Sequence, residues 1–155
     1  KKLETRIVRF FNTVGPRQLG SYGMVVPRFI QAAVNNEPLT VFGDGKQTRC
    51  FAHVLDVIDA VVAIAFSTQT IGKVVNIGND FEISMNDLAR KIIVETSSMS
   101  EIEYLPYLEA YGVGFEDMER RVPNIELIHE LVGWKPKRDL SKIIADMSQV
   151  MRLKV

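Results

Sequence analysis

Arg49 is the side chain in this sequence best suited to hold an anion. It lies on a predicted strand, shortly after the turn sequence Asp44-Gly45 and among apolar neighbours. A guanidinium that leaves water needs a partner, and its planar fork fits a phosphate or a carboxylate. Two interpretations follow: an anion ligand, or an intramolecular salt bridge to Asp44 or Asp56. The local sequence alone favours the salt bridge.

A second pair of cations, Arg120 and Arg121, closes an irregular, acid-containing loop just before a predicted helix. A diphosphate carries more charge than one cation neutralises, so these arginines could clamp a diphosphate together with Arg49. The alternative is a solvated pair of charges beside Glu119, and the local sequence favours that alternative.

Two asparagines and one phenylalanine are further candidate ligand contacts. Asn12 and Asn79 follow the ends of predicted strands, and open α/β sheets bind ligands outside the carboxyl ends of their strands. Asn12 either presents its amide to a phosphate or sugar or closes a turn, and the residues leave both open. For Asn79 the turn is favoured. Phe42 could stack on a base, although a core aromatic is favoured.

His53, His129 and Cys50 are the other residues whose types could do chemistry. His53 is a candidate general base by type. No carboxylate–histidine–nucleophile spacing accompanies it, which favours a hydrogen-bonded structural histidine. His129 is predicted to lie on a helix surface, and two histidines so placed do not predict a metal site. Cys50 has apolar neighbours, which predicts a buried, inert thiol.

The strands and helices that must position these side chains alternate along the chain, which predicts an α/β fold. Apolar runs at residues 6–12 and 74–78 are typical of strands covered on both faces in a parallel sheet. Further strands are predicted at residues 39–43, 48–53 and 103–105, and helices at residues 25–36, 54–66, 85–96, 123–132 and 140–151.

Two predictions concern how these elements pack. Asp44-Gly45 is a hairpin signal, so residues 48–53 are predicted to pair back onto residues 39–43. The helix at residues 54–66 is apolar on nearly every side, so it is predicted to be buried on most of its circumference.

Two further predictions concern helix ends. Ser84 and Asp87 resemble a capping box, which predicts a helix that begins directly after Ser84. Pro123 is predicted to open the next-to-last helix, because proline is tolerated in a first turn, and Gly133 is predicted to end it.

Composition limits the classes of protein. The 155 residues are enough for a single domain with a core, and the 46% hydrophobic and 25% charged fractions are those of a globular protein. A formal net charge of zero gives no support to nucleic-acid or membrane-surface binding. The single cysteine excludes an intramolecular disulfide and fits a reducing compartment, so a cytoplasmic location is predicted.

The chain opens with Lys1-Lys2-Leu3, without methionine, and goes almost directly into a strand. Two buried strands are too few for a doubly wound sheet. We therefore expect a segment of a longer protein whose other strands lie elsewhere. The sequence contains no G-x-x-G-x-x-G, Y-x-x-x-K or P-loop pattern, so no complete catalytic set is predicted.

Five segments follow one another in a recognisable order. They are R-F-F-N-T-V-G-P-R at residues 9–17, V-V-P-R-F-I at 25–30, L-T-V-F-G-D-G-x-x-T-R-x-F-x-H-V-x-D at 39–56, V-V-N-I-G at 74–78, and R-x-P-N at 121–124 followed by V-G-W-K-P at 132–136. In this order they resemble the C-terminal part of the extended short-chain dehydrogenases/reductases. These are the NAD-dependent nucleotide-sugar epimerases, dehydratases and decarboxylases. The resemblance covers essentially the whole chain.

The resemblance implies a substrate-binding role for five residues. It assigns Asn12 to the nucleotide sugar near its diphosphate, Arg49 and Arg121 to the diphosphate or adjoining ribose, and Phe42 to the base. Arg17 is implied to line the same cleft, together with the helix start at residues 25–28. The implied fold is the C-terminal strands of a Rossmann-like parallel sheet plus a small mixed α/β substrate-binding subdomain, with residues 1–155 forming one substrate-binding region.

Three departures from the family pattern leave the subfamily open. Val14 stands where many members have tyrosine, Cys50 where a neighbour of the arginine is frequently acidic, and Asn124 where aspartate is frequent. The resemblance implies structural roles for His53 and Asp56.

For the parent protein the resemblance implies an enzyme with NAD as cofactor and a nucleotide-diphosphate sugar as partner. The implied reaction is 4-epimerisation or decarboxylation of a UDP-sugar, with 4,6-dehydration as the next choice. The family's catalytic tyrosine and lysine and its NAD loop belong to an N-terminal region, so this chain alone is expected to be inactive. A homodimer is possible. The alternative is a free-standing binding or interaction module without an oxidoreductase half.

Overall fold

The computed structural model describes residues 3–20, 24–111 and 117–153. Within these ranges the elements follow in the order β1 (Ile7–Phe10), β2 (Thr13–Val14), α1 (Val25–Asn35), β3 (Leu39–Phe42), β4 (Thr48–Cys50), β5 (Ala52–His53), α2 (Val54–Phe66), a 3-10 turn (Thr68–Thr70), β6 (Val74–Ile77), β7 (Glu82–Ser84), α3 (Met85–Thr96), β8 (Ile102–Leu105), α4 (Tyr107–Tyr111), β9 (Arg120–Arg121), α5 (Glu126–Val132) and α6 (Leu140–Arg152).

Most strand pairs are parallel. β1 pairs with β6, β2 with β5, and β3 with β8, each in parallel. The exception is a mixed three-stranded sheet in which β4 lies between antiparallel β7 and parallel β9. Parallel pairs joined through helices, beside a small mixed sheet, confirm the predicted α/β class.

Two apolar cores hold the elements together. Helices α1, α3 and α6 pack on one another and on β3 in the larger core, where Ile30, Leu88 and Ile144 are completely buried. The smaller core joins α2, α5 and β6 around Trp134. Burial of an Ile or Leu side chain of this kind contributes about 1.5–3 kcal/mol to stability, so these clusters fix the framework from which the loops project.

The predicted helix start after Ser84 is confirmed. The Oγ of Ser84 accepts a hydrogen bond from the Asp87 amide at 3.0 Å and donates one to the Asp87 carboxylate at 2.7 Å. This pair satisfies one of the amides that the first turn of a helix leaves without an intrahelical partner. α3 therefore begins at Met85, directly after its cap.

The predicted hairpin is wrong, because β3 pairs with β8 and β4 pairs with β7 and β9. The chain does turn here, with Gly43 and Gly45 at φ near 70°. The turn docks on the start of α3: the amide of Asn86 donates to the carbonyl of Gly45 at 3.1 Å. A Cβ at Gly45 would clash with Oδ1 of Asn86, and the left-handed backbone of Gly45 would strain any other residue at this position.

The predicted burial of α2 is also wrong. On this helix Val57, Ala60 and Ile64 are buried, whereas five large apolar side chains are exposed, namely Leu55, Ile58, Val61, Val62 and Phe66. The strand at residues 6–12, expected to be covered on both faces, likewise exposes about half of Ile7 and Phe10. Neither surface is covered by another element in the part of the chain that the structure describes.

Of the two boundaries predicted for the next-to-last helix, the start is wrong and the end is confirmed. Pro123 does not open a helix, since α5 begins at Glu126, whose amide donates to Oδ1 of Asn124 at 2.9 Å. The predicted end at Gly133 is confirmed by its left-handed backbone, φ 67°.

Across residues 3–20, 24–111 and 117–153, no helix combines the length and apolarity that crossing a membrane requires.

Candidate functional site

A cavity of about 240 Å³ lies between the start of α1, the end of β3 and the loop before β9. It is lined by Asn12, Phe42 and Arg49, three of the five predicted substrate contacts. Their backbones belong to the β1–β2 turn, β3 and β4, so only the tertiary fold brings them together. The same cavity is lined by Arg28, Gln47, Tyr107 and Asp117.

Asn12 occupies a turn and also faces this cavity. Its backbone has φ 22°, a left-handed conformation that asparagine tolerates better than most residues. Its Nδ2 donates to the carbonyl of Cys50 at 2.9 Å, and its own carbonyl accepts from the Ala52 amide at 3.1 Å. Asn12 therefore closes the turn, and its side chain ties that turn to the β4–β5 segment. The same residue lines the cavity, so the interpretation as a ligand contact stays a prediction.

Arg49 is held by an ion pair at the wall of the cavity. Its Nη2 lies 2.6 Å from Oδ1 of Asp117, and its Nη1 donates to the carbonyl of Thr48 at 2.7 Å. The side chain is only 13% exposed. The predicted salt bridge exists, but both proposed partners were wrong, because Asp44 pairs with Lys46 and Asp56 with Arg138.

Asp117 is itself part of a chain of hydrogen bonds along the cavity. The hydroxyl of Tyr107 donates to Oδ2 of Asp117 at 3.1 Å and accepts from Nε2 of Gln47 at 2.7 Å. Gln47 also donates to the carbonyl of Phe42 at 3.1 Å. This chain links the end of β3 to the loop before β9, so the position of Arg49 is coupled to both.

Phe42 is partly buried and contacts a cation. The Cζ atom of Arg28, in the first turns of α1, lies 4.6 Å from the centroid of the Phe42 ring. That distance is within the range of an attractive cation–π contact. One face of Phe42 is therefore occupied by the guanidinium, and a base that entered the cavity would meet Arg28 as well as the phenyl ring.

Arg120 and Arg121 have different environments because neighbouring residues of a strand face opposite sides of a sheet. Arg121 pairs in register with Arg49 and so lies on the same face of the sheet. It is exposed, and its Cζ lies 5.3 Å from the Phe11 ring. The cavity lining includes Arg49 but not Arg121.

On the opposite face Arg120 forms an ion pair at 3.0 Å with Glu82. The hydrogen bond from Thr48, and then the one from Arg120, hold the pKa of Glu82 below its ordinary value.

Arg17 lies at a separate, neighbouring cavity of about 330 Å³, together with Gln18 and the C-terminal part of α6. Its backbone is left-handed, with φ 69°, and its side chain is exposed. The two cavities share Pro27, Arg28, Phe29 and Thr40 as walls. The fold thus places Arg17 near the start of α1, in a different cavity from the one that Arg49 lines.

The structural roles predicted for His53 and Asp56 are confirmed. His53 is fully buried, and its Nδ1 accepts from the Leu55 amide at 3.1 Å as the N-cap of α2. Asp56 is 1% exposed, accepts from the amides of Lys137 and Arg138 at 3.0 and 2.9 Å, and forms an ion pair with Arg138. These contacts anchor α2 to the segment before α6.

Cys50, Asn79 and His129 also occupy the predicted environments. Cys50 is buried, and burial, followed by the charges of Glu82 and Asp80, raises the pKa of its thiol to about 11. The Oδ1 of Asn79 accepts from the Phe81 amide at 2.8 Å, which closes a turn. His129 is exposed on α5. No group of three or more His, Cys, Asp or Glu side chains capable of holding a metal occurs in the described ranges.

Sequence reasoning missed three side chains of the cavity wall: Gln47, Tyr107 and Asp117. Asp117 was visible only as one acid among several in an irregular loop, and its pairing with Arg49 spans 68 positions. The amphipathic pattern of α1 did place Arg28 at a helix start, but gave no sign of its contact with Phe42.

Comparisons with known proteins give one family and several relatives. A family model described as the NAD dependent epimerase/dehydratase family matches residues 1–78. The chain is 41% identical over 135 residues to the UDP-N-acetyl-alpha-D-glucosaminuronate decarboxylase of Bacillus cytotoxicus. The matched residues make up 86% of this chain and 42% of that protein. It is 37% identical over 153 residues to UDP-glucuronic acid decarboxylase 2 of Arabidopsis thaliana, covering 99% and 33% respectively.

The fold matches a solved structure of similar kind. The crystal structure of UDP-glucuronic acid 4-epimerase from Bacillus cereus, in complex with UDP-glucuronic acid and NAD, superposes with a TM-score of 0.83 at 25% identity. The match covers 97% of this chain and 46% of that one. The Rossmann-like character predicted for the fold is thereby confirmed. The chain spans 42% and 33% of the length of the two decarboxylases.

Proposed function

Because this chain belongs to the NAD-dependent epimerase/dehydratase family, we propose that it is the nucleotide-sugar-binding region of an enzyme of that family. The observation that carries the proposal is the cavity that gathers Asn12, Phe42 and Arg49 from three separate segments. An amide, an aromatic ring and a partly buried guanidinium are groups that can bind a sugar, a base and a phosphate.

The diphosphate is placed at Arg49 in this proposal. Arg49 is 13% exposed, so its charge acts in a medium that screens less than water, and its fork can bind two phosphate oxygens. A bound phosphate must compete with Asp117, which now accepts from Nη2. Arg121 lies one strand away on the same face of the sheet, and it is proposed to bind the diphosphate or the adjoining ribose from outside the cavity.

The reaction proposed for the parent enzyme is decarboxylation or 4-epimerisation of a UDP-sugar. Relatives named as decarboxylases, at 41% and 37% identity, and a structural relative named as a 4-epimerase support this class. In the parent, binding energy from the nucleotide diphosphate would hold the sugar in place for a reaction at a distant carbon. The chain alone is proposed to bind the nucleotide without turnover.

NAD enters the proposal as the hydride acceptor and donor of the parent enzyme. Within the described residues, the strand-to-helix turns carry no glycine-rich phosphate loop of the kind that holds a dinucleotide, so we assign no residue to NAD and derive no step through it. Residues 1–155 as a single substrate-binding region, a homodimer and a cytoplasmic location remain predictions.

Isothermal titration calorimetry with UDP, dTDP and GDP on the 155-residue chain tests the proposal. We expect weak binding of at least one nucleoside diphosphate and a loss of about tenfold or more in affinity in Arg49→Ala, because a hydrogen bond to a charged group is removed. Arg90→Ala is the matched control, since Arg90 is an exposed arginine paired with Asp87 outside the cavity. Equal affinities for the wild type and Arg49→Ala would refute the assignment of Arg49.

A further inference from the structure

Arg28 differs from Arg49 in that its charge is not compensated within the described residues. Arg49 has the Asp117 carboxylate at 2.6 Å and the Thr48 carbonyl at 2.7 Å. Arg28 has no hydrogen-bond acceptor and no ion-pair partner in residues 3–20, 24–111 and 117–153, where its guanidinium lies against the ring of Phe42. Arg28 as a whole residue is nevertheless only partly exposed.

The charges of the cavity wall make this difference important. The lining contains two cations, Arg28 and Arg49, and one carboxylate, Asp117. Since Asp117 is held by Arg49, the remaining positive charge belongs to Arg28. A partly buried arginine normally has a counter-charge or a full set of acceptors, because its desolvation is costly. An anion in this cavity would supply both.

The contact with Phe42 leaves the donors of Arg28 available. A cation–π contact uses the face of the ring and consumes none of the five N–H groups of the guanidinium. At 4.6 Å from the ring centroid, the ring limits where the guanidinium can lie. Phe42 belongs to β3, which is anchored along its length by parallel pairing with β8, so this support is rigid.

We propose that Arg28 is a second anion-binding residue of the cavity, that it binds the phosphates of the nucleotide, and that Phe42 is the positioning residue that holds its guanidinium there. This inference rests on the proposed function and adds to it a cation from α1 facing the same ligand as the cation from β4. It also changes the role expected for Phe42, which then acts through Arg28 instead of stacking on the base. The discrimination between a nucleoside diphosphate and the bare nucleoside would depend on Arg28.

Calorimetry with UDP and UMP, extended to uridine by ligand-observed NMR, tests this on the full 155-residue chain. Arg28→Gln is expected to weaken UDP binding by about tenfold or more while leaving uridine binding unchanged, and Arg28→Lys is expected to restore part of the loss because it returns the charge without the fork. Arg90→Gln, on the exposed face of α3, is the matched control and is expected to bind UDP like the wild type.

A double-mutant cycle tests the role of Phe42. Phe42→Leu is expected to weaken UDP binding in the wild-type background and to have no further effect in Arg28→Gln, whereas Phe42→Tyr, which keeps the ring, is expected to restore the affinity. An equal loss in both backgrounds would overturn the positioning role, because Phe42 would then contact the nucleotide directly.

The outcomes separate this inference from the proposed function. If the wild type binds UDP and Arg49→Ala abolishes binding while Arg28→Gln does not alter it, the inference about Arg28 is wrong and the proposed function stands. If Arg28→Gln weakens uridine and UDP by the same factor, Arg28 contacts the nucleoside and the phosphate assignment is wrong. If the wild type binds no nucleoside diphosphate, the proposed function itself fails.

Discussion

Arg49 and Asp117 are joined by a 2.6 Å ion pair that lies inside the cavity predicted to hold a diphosphate. The carboxylate of Asp117 thus occupies the donor of Arg49 that a phosphate oxygen would use. Tyr107 holds the second oxygen of the same carboxylate at 3.1 Å. In the proposed function, a phosphate at Arg49 would compete with Asp117 for the same donor, so nucleotide affinity is expected to depend on the difference between the two interactions.

Replacement of Asp117 by asparagine is expected to raise the affinity for UDP by about three- to tenfold. The substitution keeps the size of the side chain but removes the negative charge that competes for Arg49. Titration calorimetry measures the change. Glu119→Gln is the control: it removes one nearby charge from an exposed residue with no contact to Arg49. If both variants gain affinity for UDP equally, the gain comes from removing a negative charge near the cavity and not from breaking the ion pair between Asp117 and Arg49.

Asp56→Asn is expected to lower the free energy of unfolding by about 3 kcal/mol, because it leaves Arg138 without its buried partner. Urea unfolding monitored by the fluorescence of Trp134, the sole tryptophan of the sequence, measures the change, and Trp134 reports on this region since its Nε1 donates to the Asp56 carbonyl.

Asp59→Asn is the matched control for that experiment. Asp59 is 57% exposed and its carboxylate lies 3.9 Å from Nη1 of Arg138, so a change of less than about 0.5 kcal/mol is expected. Similar losses in the two variants would mean that the charge of α2, and not the buried contact of Asp56, determines the stability.

The thiol of Cys50 is expected to react slowly in the folded protein. A rise of its pKa from 9.0 to about 11 leaves about a hundredfold less thiolate at pH 8, and thiolate is the reactive form. Alkylation with iodoacetamide, followed by mass spectrometry, is expected to be at least about a hundredfold slower in buffer than in guanidinium chloride at an unfolding concentration of ~6 M. Comparable rates would show that the β4–β5 segment opens readily.

The same shift gives a pH dependence of stability. The folded state binds the Cys50 proton more tightly than the unfolded state, so this contribution is fully present below pH 9 and is lost as the pH rises towards about 11. The free energy of unfolding is therefore expected to fall over this window, and Cys50→Ala is expected to flatten the curve. A curve of the same shape in both proteins would assign the dependence to other groups.

The exposed apolar side of α2 is expected to cause self-association of the chain. Ile58 and Val62 are each 51% exposed and Phe66 is 86% exposed on this side. Sedimentation velocity over a range of concentrations is expected to show species larger than the monomer, and Ile58→Lys with Val62→Lys is expected to reduce them. Val94→Lys, at a residue that is 75% exposed on α3, is the control. A monodisperse wild-type monomer would contradict the expectation.

Much of the framework was readable from local patterns. The spacing of apolar residues predicted α1, α3 and α6, because a helix buries one side with a period of 3.6 residues. Ser84 and Gly133 marked helix ends for reasons that lie within a few residues of each. The order of five short motifs was enough to indicate the family, to which the chain belongs.

Partners across long sequence separations could not be read in this way. Gly43 and Gly45 showed that the chain turns, but the strand that pairs with β3 comes from residues 102–105, about sixty positions later. Similarly, the composition of α2 indicated burial, while the exposure of Ile58 and Val62 depends on which other elements reach that side.

The sequence by itself determined the longer helices and strands, their order and the residue types that could bind a nucleotide, because these depend on local periodicity, caps and turn chemistry. It gave no sign of the short elements β2, β7, α4 and β9. Only the tertiary structure decided which of those residues share a cavity. It placed Asn12, Phe42 and Arg49 together, with Arg17 in a neighbouring cavity and Arg121 outside the lining. It also paired Arg49 with Asp117 and brought Arg28 against the ring of Phe42. The physical reason is that the partner of a charge or a ring is whichever group the packed core brings within a few ångströms, and that distance is not a property of any single segment.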